Sequence, residues 1–374
     1  MIHSSTSEKQ SSARRVLIYR LGSLGDTVVA LPALHLIASA FPHAERRMLT
    51  NVPVNVKAPP AHAILEHTGL VQSYFRYAVG TRNAGDLVRL WWTIRRWQPD
   101  VLVYLGSARG VASALRDQRF FRFCGIRRII GIPVSEEMQA CSWDEMTQSF
   151  EPEASRLTRN IAELGSMNLE EPSAWDLHLT DEEIARAEDA LRPLGEKSII
   201  AVSVGTKVQS KDWGRENWRN LLARLAALYP DHALMLSGAP EEGEASDFVR
   251  AGWQQAGGGP VVNLCGRLTP RESAAAFRRA RIFLGHDSGP MHLAAAVQTP
   301  CVAIFAARNK PRVWFPYGSH HRVLYHKTEC WGCGLETCIV EKKRCLTSIT
   351  VDEVLEQVQA VLGNEGAFSR LLYS

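Results

Sequence analysis

The chain has 374 residues, of which 45% are hydrophobic and 22% are charged, and its formal net charge is +4. This length is too great for one ordinary core and suits two α/β domains, and the composition is that of a soluble globular protein. The polar first twelve residues predict no signal peptide, and no apolar run approaches the roughly 18 residues of a membrane span. We therefore expect a cytoplasmic protein in which scattered cysteines such as Cys124 and Cys301 are reduced core residues.

The first half of the chain alternates apolar runs with helical stretches. An apolar run at residues 16–20 leads into a glycine turn and a helix that reaches Ala40, with Pro32 suited to its first turn. An amphipathic segment at residues 86–97 precedes a second apolar run at residues 100–106. This alternation predicts a parallel sheet that is covered by helices on both faces.

The second half alternates more regularly and predicts a doubly wound unit of five strands. Thr269, Pro270 and Glu272 supply the N-cap, the first-turn proline and the capping-box acid of a helix that reaches Ala280. The predicted strands are residues 198–205, 232–238, 261–266, 281–287 and 301–306. The other predicted helices are residues 216–229, 241–255 and 290–297.

The predicted organisation is α/β, with two Rossmann-like domains. Less regular sequence at residues 130–175 precedes a domain connection at roughly residues 172–196. Ligands of doubly wound sheets bind at the carboxyl ends of the strands, so we expect the domains to face each other across a cleft. The predicted segments are a disordered tail (1–13), an N-terminal domain (14–175), a C-terminal domain (176–348) and a final helix with its tail (349–374).

The first motif, RLGSLGD at residues 20–26, directly follows the first predicted strand. Gly22 and Gly25 permit a tight turn and a close approach to a ligand, and the nearby helix start offers free N–H groups. The spacing is neither the three-glycine dinucleotide fingerprint nor a Walker loop. Taken alone, the motif is explained equally by Asp26 as an ordinary helix cap.

The second motif is the strand-to-helix loop of residues 205–218, which contains Lys207, Lys211 and Arg215. With the hydroxyls of Thr206 and Ser210, these cations form a candidate phosphate clamp. The alternative is a solvated basic loop.

The third motif, GHDSGPMHLAAA at residues 285–296, ends a strand at Asp287 and begins a helix near Pro290. The turn between them and the helix dipole form an anion site, which the ring of His292 could reach. A lone helical histidine is otherwise a structural residue, and we expect Asp287 to cap the helix or to hold a hydrogen-bond donor. At another strand end, Glu242 could accept both ribose hydroxyls, or could simply be the acidic start of a helix.

Four late cysteines have the spacing C-x2-C-x4-C-x6-C. Four thiolates this close favour a tetrahedral zinc or iron site, structural rather than catalytic, and the alternative is a set of free, redox-labile thiols. The residues are Cys330, Cys333, Cys338 and Cys345.

Residues 76–128 hold 11 arginines against three aspartates, with tryptophan and phenylalanine interleaved. Arginine pairs bidentately with phosphate and carboxylate, and tryptophan favours the lipid interface. We therefore expect an anionic, membrane-embedded acceptor here and no nucleic acid. The alternatives are a solvated arginine-rich helix face and aromatic residues that belong to the core.

Together, these motifs resemble the family 9 glycosyltransferases, the ADP-heptose:lipopolysaccharide heptosyltransferases. Members open with a strand, an R-L-x-S-x-G-D turn and a helix carrying L-P-A-L, which residues 20–26 and 31–34 match. Members close with D-[ST]-G-x-x-H-L-A-A-A, T-P-x-V-A-[IL]-F and P-Y-G, which residues 287–296, 299–305 and 316–318 match. The loop ending in Lys211-Asp212-Trp213 also matches, and the resemblance spans about residues 15–360.

The resemblance implies a GT-B fold, a nucleotide-sugar donor on the C-terminal domain and an acceptor on the N-terminal one. It implies Asp26 as the catalytic base and Lys211 as the second catalytic residue, and it places Ser23, Gly25 and Arg109 on the acceptor side. The implied donor-binding residues are Gly205, Thr206, Lys211, Glu242, Asp287, Ser288, Gly289 and His292.

The implied reaction is an inverting, metal-independent transfer of a heptose or related sugar from an ADP-sugar to a lipopolysaccharide-core or similar glycan. The implied partners are an ADP-heptose donor, a lipid-linked anionic acceptor and the inner face of the cytoplasmic membrane, and catalysis needs no cofactor. Pro290 and the sequence Ala306-Ala307-Arg308-Asn309, where members carry G-P-T-D, depart from the family pattern. The alternatives are a nucleotide-sugar epimerase or hydrolase, and a non-catalytic nucleotide-sugar-binding subunit.

Overall fold

The protein is described by a computed structural model that covers residues 13–51, 59–78 and 83–363. Residues 1–12 of the predicted disordered tail and residues 364–374 of the predicted final segment therefore lie outside the described residues. The chain divides into two compact units, Met1–His178 and Leu179–Ser374.

The first unit contains a sheet of five parallel strands in the order β3-β2-β1-β4-β5. β1 and β4 are its two central strands with almost no solvent contact, and Leu17 lies opposite Leu102. Burial on both faces is what their unbroken apolar sequence predicts. The strands are β1 (Arg15–Tyr19), β2 (Glu45–Asn51), β3 (Ser73–Tyr77), β4 (Val101–Tyr104) and β5 (Arg128–Ile130).

The strands β2, β3 and β5 were not predicted from the sequence, and β2 shows why. Its sequence ERRMLTN places two arginines in the middle of a sheet. The Arg46 side chain is nevertheless buried, because its guanidinium donates to the carbonyls of Phe41, Gly69 and Leu70. A buried cation is tolerated when its N–H groups are all directed at acceptors, and such satisfaction is invisible in a hydropathy pattern.

The helices of the first unit cover this sheet, and a small hairpin of β6 (Trp143–Asp144) and β7 (Ser149–Phe150) lies between the last two of them along the chain. The helices are α1 (Leu24–Val29), α2 (Leu31–Ala40), α3 (His62–Leu65), α4 (Ala84–Trp97), α5 (Val111–Phe123), α6 (Glu136–Gln139) and α7 (Glu153–Asn160).

The second unit contains six parallel strands in the order β10-β9-β8-β11-β12-β13. The five predicted strands are present, and the prediction of only five was wrong. The sixth, β13, is a four-residue edge strand whose first residue, Arg322, is exposed. The strands are β8 (Ile199–Ser203), β9 (Ala233–Leu236), β10 (Val261–Asn263), β11 (Ala280–His286), β12 (Cys301–Phe305) and β13 (Arg322–Tyr325).

The helices predicted for the second unit are present, two of them with a boundary that differs by two residues, and the helices Asp181–Leu191 and Arg344–Thr347 were not predicted. The helix predicted to reach Ala280 ends at Arg278, because Ala280 already pairs with Ile199 in the sheet. The helix predicted from residue 241 begins at Gly243, after a 3-10 turn at Pro240–Glu242. The helices are α8 (Asp181–Leu191), α9 (Arg215–Leu228), α10 (Gly243–Gln255), α11 (Pro270–Arg278), α12 (Gly289–Ala296), α13 (Arg344–Thr347) and α14 (Val351–Leu362).

The core of the second unit joins the sheet to α9, α10 and α14. It is built on fully buried aliphatic residues of β8 and on three buried tryptophans, Trp213, Trp218 and Trp253. In the described ranges, no helix combines the length and the apolar character that crossing a membrane requires.

Candidate active site

Each sheet reverses its winding direction between two central strands. The reversal falls between β1 and β4 in the first unit and between β8 and β11 in the second. In doubly wound sheets, ligands bind beside such a reversal, at the carboxyl ends of the strands. The loops that follow β1, β8 and β11 begin at residues 20, 204 and 287, and each carries part of one predicted motif.

Asp26 lies in the first turn of α1, where its carboxylate is held by Ser23. One oxygen, Oδ2, accepts hydrogen bonds from the Ser23 backbone N–H at 2.7 Å and from the Ser23 hydroxyl at 2.8 Å. Gly22 makes this possible, since its φ is +142° and a Cβ there would lie 2.4 Å from the Asp26 Cβ. Asp26 is therefore a helix cap in this structure, and its second oxygen, Oδ1, takes no part in the cap.

Arg20 lies behind Asp26 and is fully buried. Its guanidinium donates to the main-chain carbonyls of Leu105 and Asp26. Its Nη2 also lies 3.9 Å from Asp26 Oδ1. Burial lowers the pKa of Arg20, and the Asp26 carboxylate opposes that shift. The arginine thus sets a cation beside the free oxygen of Asp26.

Arg109 follows β4 and is fixed by three partners that the sequence did not identify. Its Nη2 donates to the hydroxyls of Tyr19 and Tyr104, each at 3.1 Å, and pairs with Asp117. Burial raises the pKa of both tyrosines, that of Tyr104 to about 12, so the phenols are neutral. The Arg109 side chain is still 36% exposed, which leaves a pre-oriented cation at the end of β4.

Lys211 and Asp287 form an ion pair at the reversal of the second sheet. Lys211 Nζ lies 2.7 Å from Asp287 Oδ2 and donates to the Asp287 carbonyl at 3.2 Å. Asn309 donates to the same Asp287 oxygen at 3.0 Å. Asp287 thus holds a donor, one of the two roles predicted for it. Asn309 belongs to the segment that departs from the family pattern, and sequence reasoning gave it no role.

His286, the last residue of β11, is fully buried directly before Asp287. Its Nε2 accepts hydrogen bonds from the Trp213 backbone N–H at 3.1 Å and from the Trp218 indole at 3.2 Å. Burial lowers the pKa of His286 to about 4, so the imidazole is neutral and can accept both bonds. This histidine ties the end of the Lys211 loop to the central strand, a role that sequence reasoning missed.

The N-terminus of α12 lies next to the ion pair along the chain. Ser288 is the N-cap residue, yet its side chain makes no capping bond, and its buried hydroxyl oxygen has no hydrogen-bond partner among the described residues. The first turn also contains Gly289, Pro290 and the buried His292. An uncapped helix start with an orphaned hydroxyl is suited to receive an anion.

Glu242 and Gly205, predicted from separate motifs, lie in contact. A Cβ on Gly205 would lie 1.9 Å from the Glu242 carboxyl carbon, so only glycine leaves room for this side chain. Glu242 Oε2 accepts a hydrogen bond from the Ala239 backbone N–H at 2.9 Å. The Thr206 hydroxyl accepts the Val208 backbone N–H at 3.3 Å and so shapes the start of the loop.

All eight cysteines are free thiols, and Cys330 and Cys333 are exposed. In the part of the chain that the structure describes, no three or more His, Cys, Asp or Glu side chains are arranged to hold a metal ion. The four late cysteines therefore do not form a ligand set in this conformation, and a zinc or iron ion there stays a prediction.

The chain was compared with known proteins. Residues 121–344 match the sequence model of Glycosyltransferase family 9 (heptosyltransferase). The lipooligosaccharide heptosyltransferase 2 of Campylobacter jejuni is 30% identical over 105 residues, which cover 28% of this chain and 33% of that protein.

Two solved structures have a similar fold. A family 9 glycosyltransferase of Veillonella parvula has a TM-score of 0.66 at 18% identity, covering 93% of this chain and 97% of that one. The Escherichia coli ADP-heptose lipopolysaccharide heptosyltransferase II has a TM-score of 0.63 at 19% identity, covering 94% and 100%. With its two doubly wound units, this protein has the GT-B fold. The family match covers more than half of the chain, and the chain belongs to glycosyltransferase family 9.

Proposed function

We propose that the protein transfers a heptose, or a closely related sugar, from an ADP-sugar to a lipopolysaccharide-core or similar glycan acceptor. The family match supports this proposal, as does the fold shared with an E. coli protein named for ADP-heptose. The observation that carries it is the Lys211–Asp287 pair, which stands beside the uncapped start of α12. In this arrangement Asp287 holds the Lys211 ammonium near the N–H groups of a helix start, and both kinds of donor would stabilise the negative charge that a departing diphosphate develops.

In this proposal the second unit binds the donor. Lys211, the N–H groups of the first turn of α12 and the Ser288 hydroxyl receive the diphosphate, with Gly289 and His292 completing the cradle. A cation and a helix N-terminus then stabilise the negative charge of the diphosphate, as a magnesium ion does in other transferases, and the reaction needs no metal. Retention of full activity in EDTA would support this point, and loss that Mg²⁺ restores would contradict it.

Glu242 is the proposed ribose ligand. Its carboxylate already accepts one backbone N–H and lies against Gly205, in a strand-end position where an acid can accept both ribose hydroxyls. Thr206, the residue directly after Gly205, is the proposed second phosphate ligand.

Asp26 is the proposed base, acting through its Oδ1. The acceptor hydroxyl oxygen bonds to the anomeric carbon, the bond from that carbon to the diphosphate oxygen breaks, and the hydroxyl proton moves to Asp26. One displacement of this kind inverts the anomeric configuration, which NMR of the product measures. The Arg20 guanidinium lies 3.9 Å from the oxygen that would take the proton.

The first unit is the proposed acceptor side. Arg109 offers N–H groups to an anionic group of the acceptor, since Tyr19, Tyr104 and Asp117 hold it from one end only. Ser23 lies in the same strand-end region and orients Asp26, while Gly25 is buried in α1 and contributes its small size.

The acceptor-side unit also carries a surface suited to an anionic membrane. We name it the aromatic–arginine surface and define it by the exposed residues of α4 and α5. Its apolar members include Trp92 at 58% and Phe123 at 70% exposure, and Trp91 joins the two helices by stacking on Phe123 at 5.5 Å. The exposed arginines on the two helices are Arg89, Arg95, Arg96, Arg116, Arg119 and Arg122.

Exposed aromatic residues among arginines are the combination that binds anionic lipid headgroups, and we propose peripheral membrane contact through this surface. The alternative that the aromatics are core holds for Trp97 and Phe121, which are buried. Sedimentation with anionic liposomes tests the proposal. Trp92→Ser with Phe123→Ser should weaken binding, whereas Leu228→Ser, an exposed leucine of the second unit, should not. Binding that is absent, or insensitive to salt, would contradict it.

A donor screen tests the proposed specificity. The protein should be stabilised against heating by ADP and ADP-sugars more than by UDP-, GDP- or dTDP-sugars at equal concentration, because ligands that bind the folded state raise the melting temperature. Lys211→Met should reduce the stabilisation by every nucleotide class, because its ammonium is proposed to contact the diphosphate that all of them share. Equal stabilisation by all four nucleotide classes would contradict an ADP-sugar donor.

A further inference from the structure

The cysteine-rich segment, residues 330–345, is hydrogen-bonded to the loop that carries Lys211. The Ser210 hydroxyl, which is buried, donates to the Leu335 carbonyl at 2.6 Å, and the Ser210 N–H donates to the Glu336 carbonyl at 3.1 Å. The Cys338 N–H donates to Gln209 Oε1 at 3.0 Å. These bonds reach the two residues directly before Lys211.

The segment also holds the residue directly after Lys211. Lys343 Nζ donates to the Asp212 carbonyl at 2.8 Å and lies 3.9 Å from the Asp212 carboxylate. Lys211 is thus flanked on both sides by residues bonded to the cysteine-rich segment, while its own ammonium goes to Asp287.

The segment has its own fixed connections to the second unit. Arg308 donates to the carbonyls of Gly334 and Leu335, and the N–H groups of Gly332 and Gly334 donate back to the carbonyls of residues 307 and 308. At its other end, the chain continues into the fully buried Leu346. A segment anchored in this way can hold the loop that it contacts in one position.

The loop itself has little internal support. Residues 209–211 form one 3-10 turn, held by the hydrogen bonds of the Lys211 and Asp212 N–H groups to the carbonyls of Val208 and Gln209. A single turn of this kind is marginal alone, so contacts from outside must set its position.

We propose that the cysteine-rich segment is the positioning element of Lys211, and that Ser210 and Lys343 are positioning residues for donor binding. The inference rests on the proposed role of Lys211 as a diphosphate ligand. Removing either contact lets the loop shift, and a misplaced ammonium binds the diphosphate less tightly.

The test is a calorimetric measurement of the dissociation constant for ADP. Ser210→Ala and Lys343→Met should each weaken ADP binding about five- to tenfold, the change expected when one hydrogen bond that fixes the loop is lost. Lys343→Arg should retain most of the affinity. Thr299→Val removes another buried hydroxyl, one that donates to the Phe277 carbonyl at 2.8 Å, and should lower thermal stability without changing ADP binding.

A double-mutant cycle with Lys211→Met separates the inference from the proposed function. If the segment acts through Lys211, Ser210→Ala should cause no further loss in the Lys211→Met background. Equal, additive losses in both backgrounds, or unchanged binding by Ser210→Ala and Lys343→Met, would overturn the inference alone. Unchanged ADP binding by Lys211→Met would overturn the proposed function as well. Lys343→Met carries the test if Ser210→Ala does not fold.

Discussion

Replacing Asp26 with asparagine removes the proposed base and keeps the side-chain shape. In the unmodified protein, Asp26 Oδ2 accepts the two Ser23 hydrogen bonds at 2.7 and 2.8 Å. In the variant, the asparagine Oδ1 can take that place and accept both bonds. The amide NH₂ must then face the Arg20 guanidinium, where a carboxylate oxygen now lies at 3.9 Å.

Two magnitudes follow from this geometry. Loss of the charge from the helix cap and from the neighbourhood of Arg20 should lower the free energy of unfolding by about 1–2 kcal/mol. Loss of a general base should lower the turnover number about 100- to 10,000-fold, while ADP binding on the second unit is unchanged.

The assay is ADP release at saturating donor and acceptor, with calorimetry of ADP binding and urea unfolding on the same preparation. Glu353→Gln is the matched control, because Glu353 occupies the same capping-box position in α14, where its Oε2 accepts hydrogen bonds from the backbone N–H and the hydroxyl of Thr350. It should lower stability and leave turnover unchanged. The reasoning is refuted if Asp26→Asn keeps more than about a tenth of wild-type turnover. In that case Asp26 is only the helix cap that the structure shows.

Three further predictions concern the second unit. Gly205→Ala should weaken ADP binding at least about tenfold, because its Cβ would lie 1.9 Å from the Glu242 carboxyl carbon and displace that side chain. Gly257→Ala has open space around its Cβ but a φ of +77°, so it should lower stability without changing ADP binding; calorimetry and thermal unfolding measure the two effects. In the folded protein the pKa of His286 is lowered to about 4, so its imidazole is neutral near pH 7. Its contribution to stability is therefore complete above the unfolded-state pKa of about 6.5 and is lost as the pH falls towards 4. The unfolding free energy should therefore drop by up to about 3 kcal/mol over that range, and a His286→Gln variant with the same pH slope would contradict this. The spacing of the four late cysteines predicts one zinc or iron ion per chain. Metal analysis of protein purified without added metal tests this prediction, and a stoichiometry near zero would contradict it.

The elements that sequence could predict are those whose physical cause is local. β1, β4 and β8 are unbroken apolar runs, and burial on both faces follows directly from that. β2 could not be predicted in the same way, because the acceptors that permit a buried Arg46 come from residues 41, 69 and 70, which only the fold brings together.

The same distinction between local and long-range causes applies to the candidate site. Glycine turns and helix starts after strands place Asp26, Lys211 and Asp287 at strand ends, and each was predicted from its own motif. The contacts between motifs were not predictable, since Asn309 meets Asp287 across 22 residues and Trp213 meets His286 across 73. Neither contact leaves a spacing pattern in the sequence.

The most direct test of the proposed function is acceptor-dependent ADP release from ADP-heptose in the presence of EDTA, with analysis of the products. We predict that ADP and heptosylated lipopolysaccharide-core acceptor form in equal amounts, and that ADP release is negligible when the acceptor is omitted. ADP release at the same rate without acceptor, or conversion of the donor to an epimer, would contradict glycosyl transfer and identify a hydrolase or an epimerase instead.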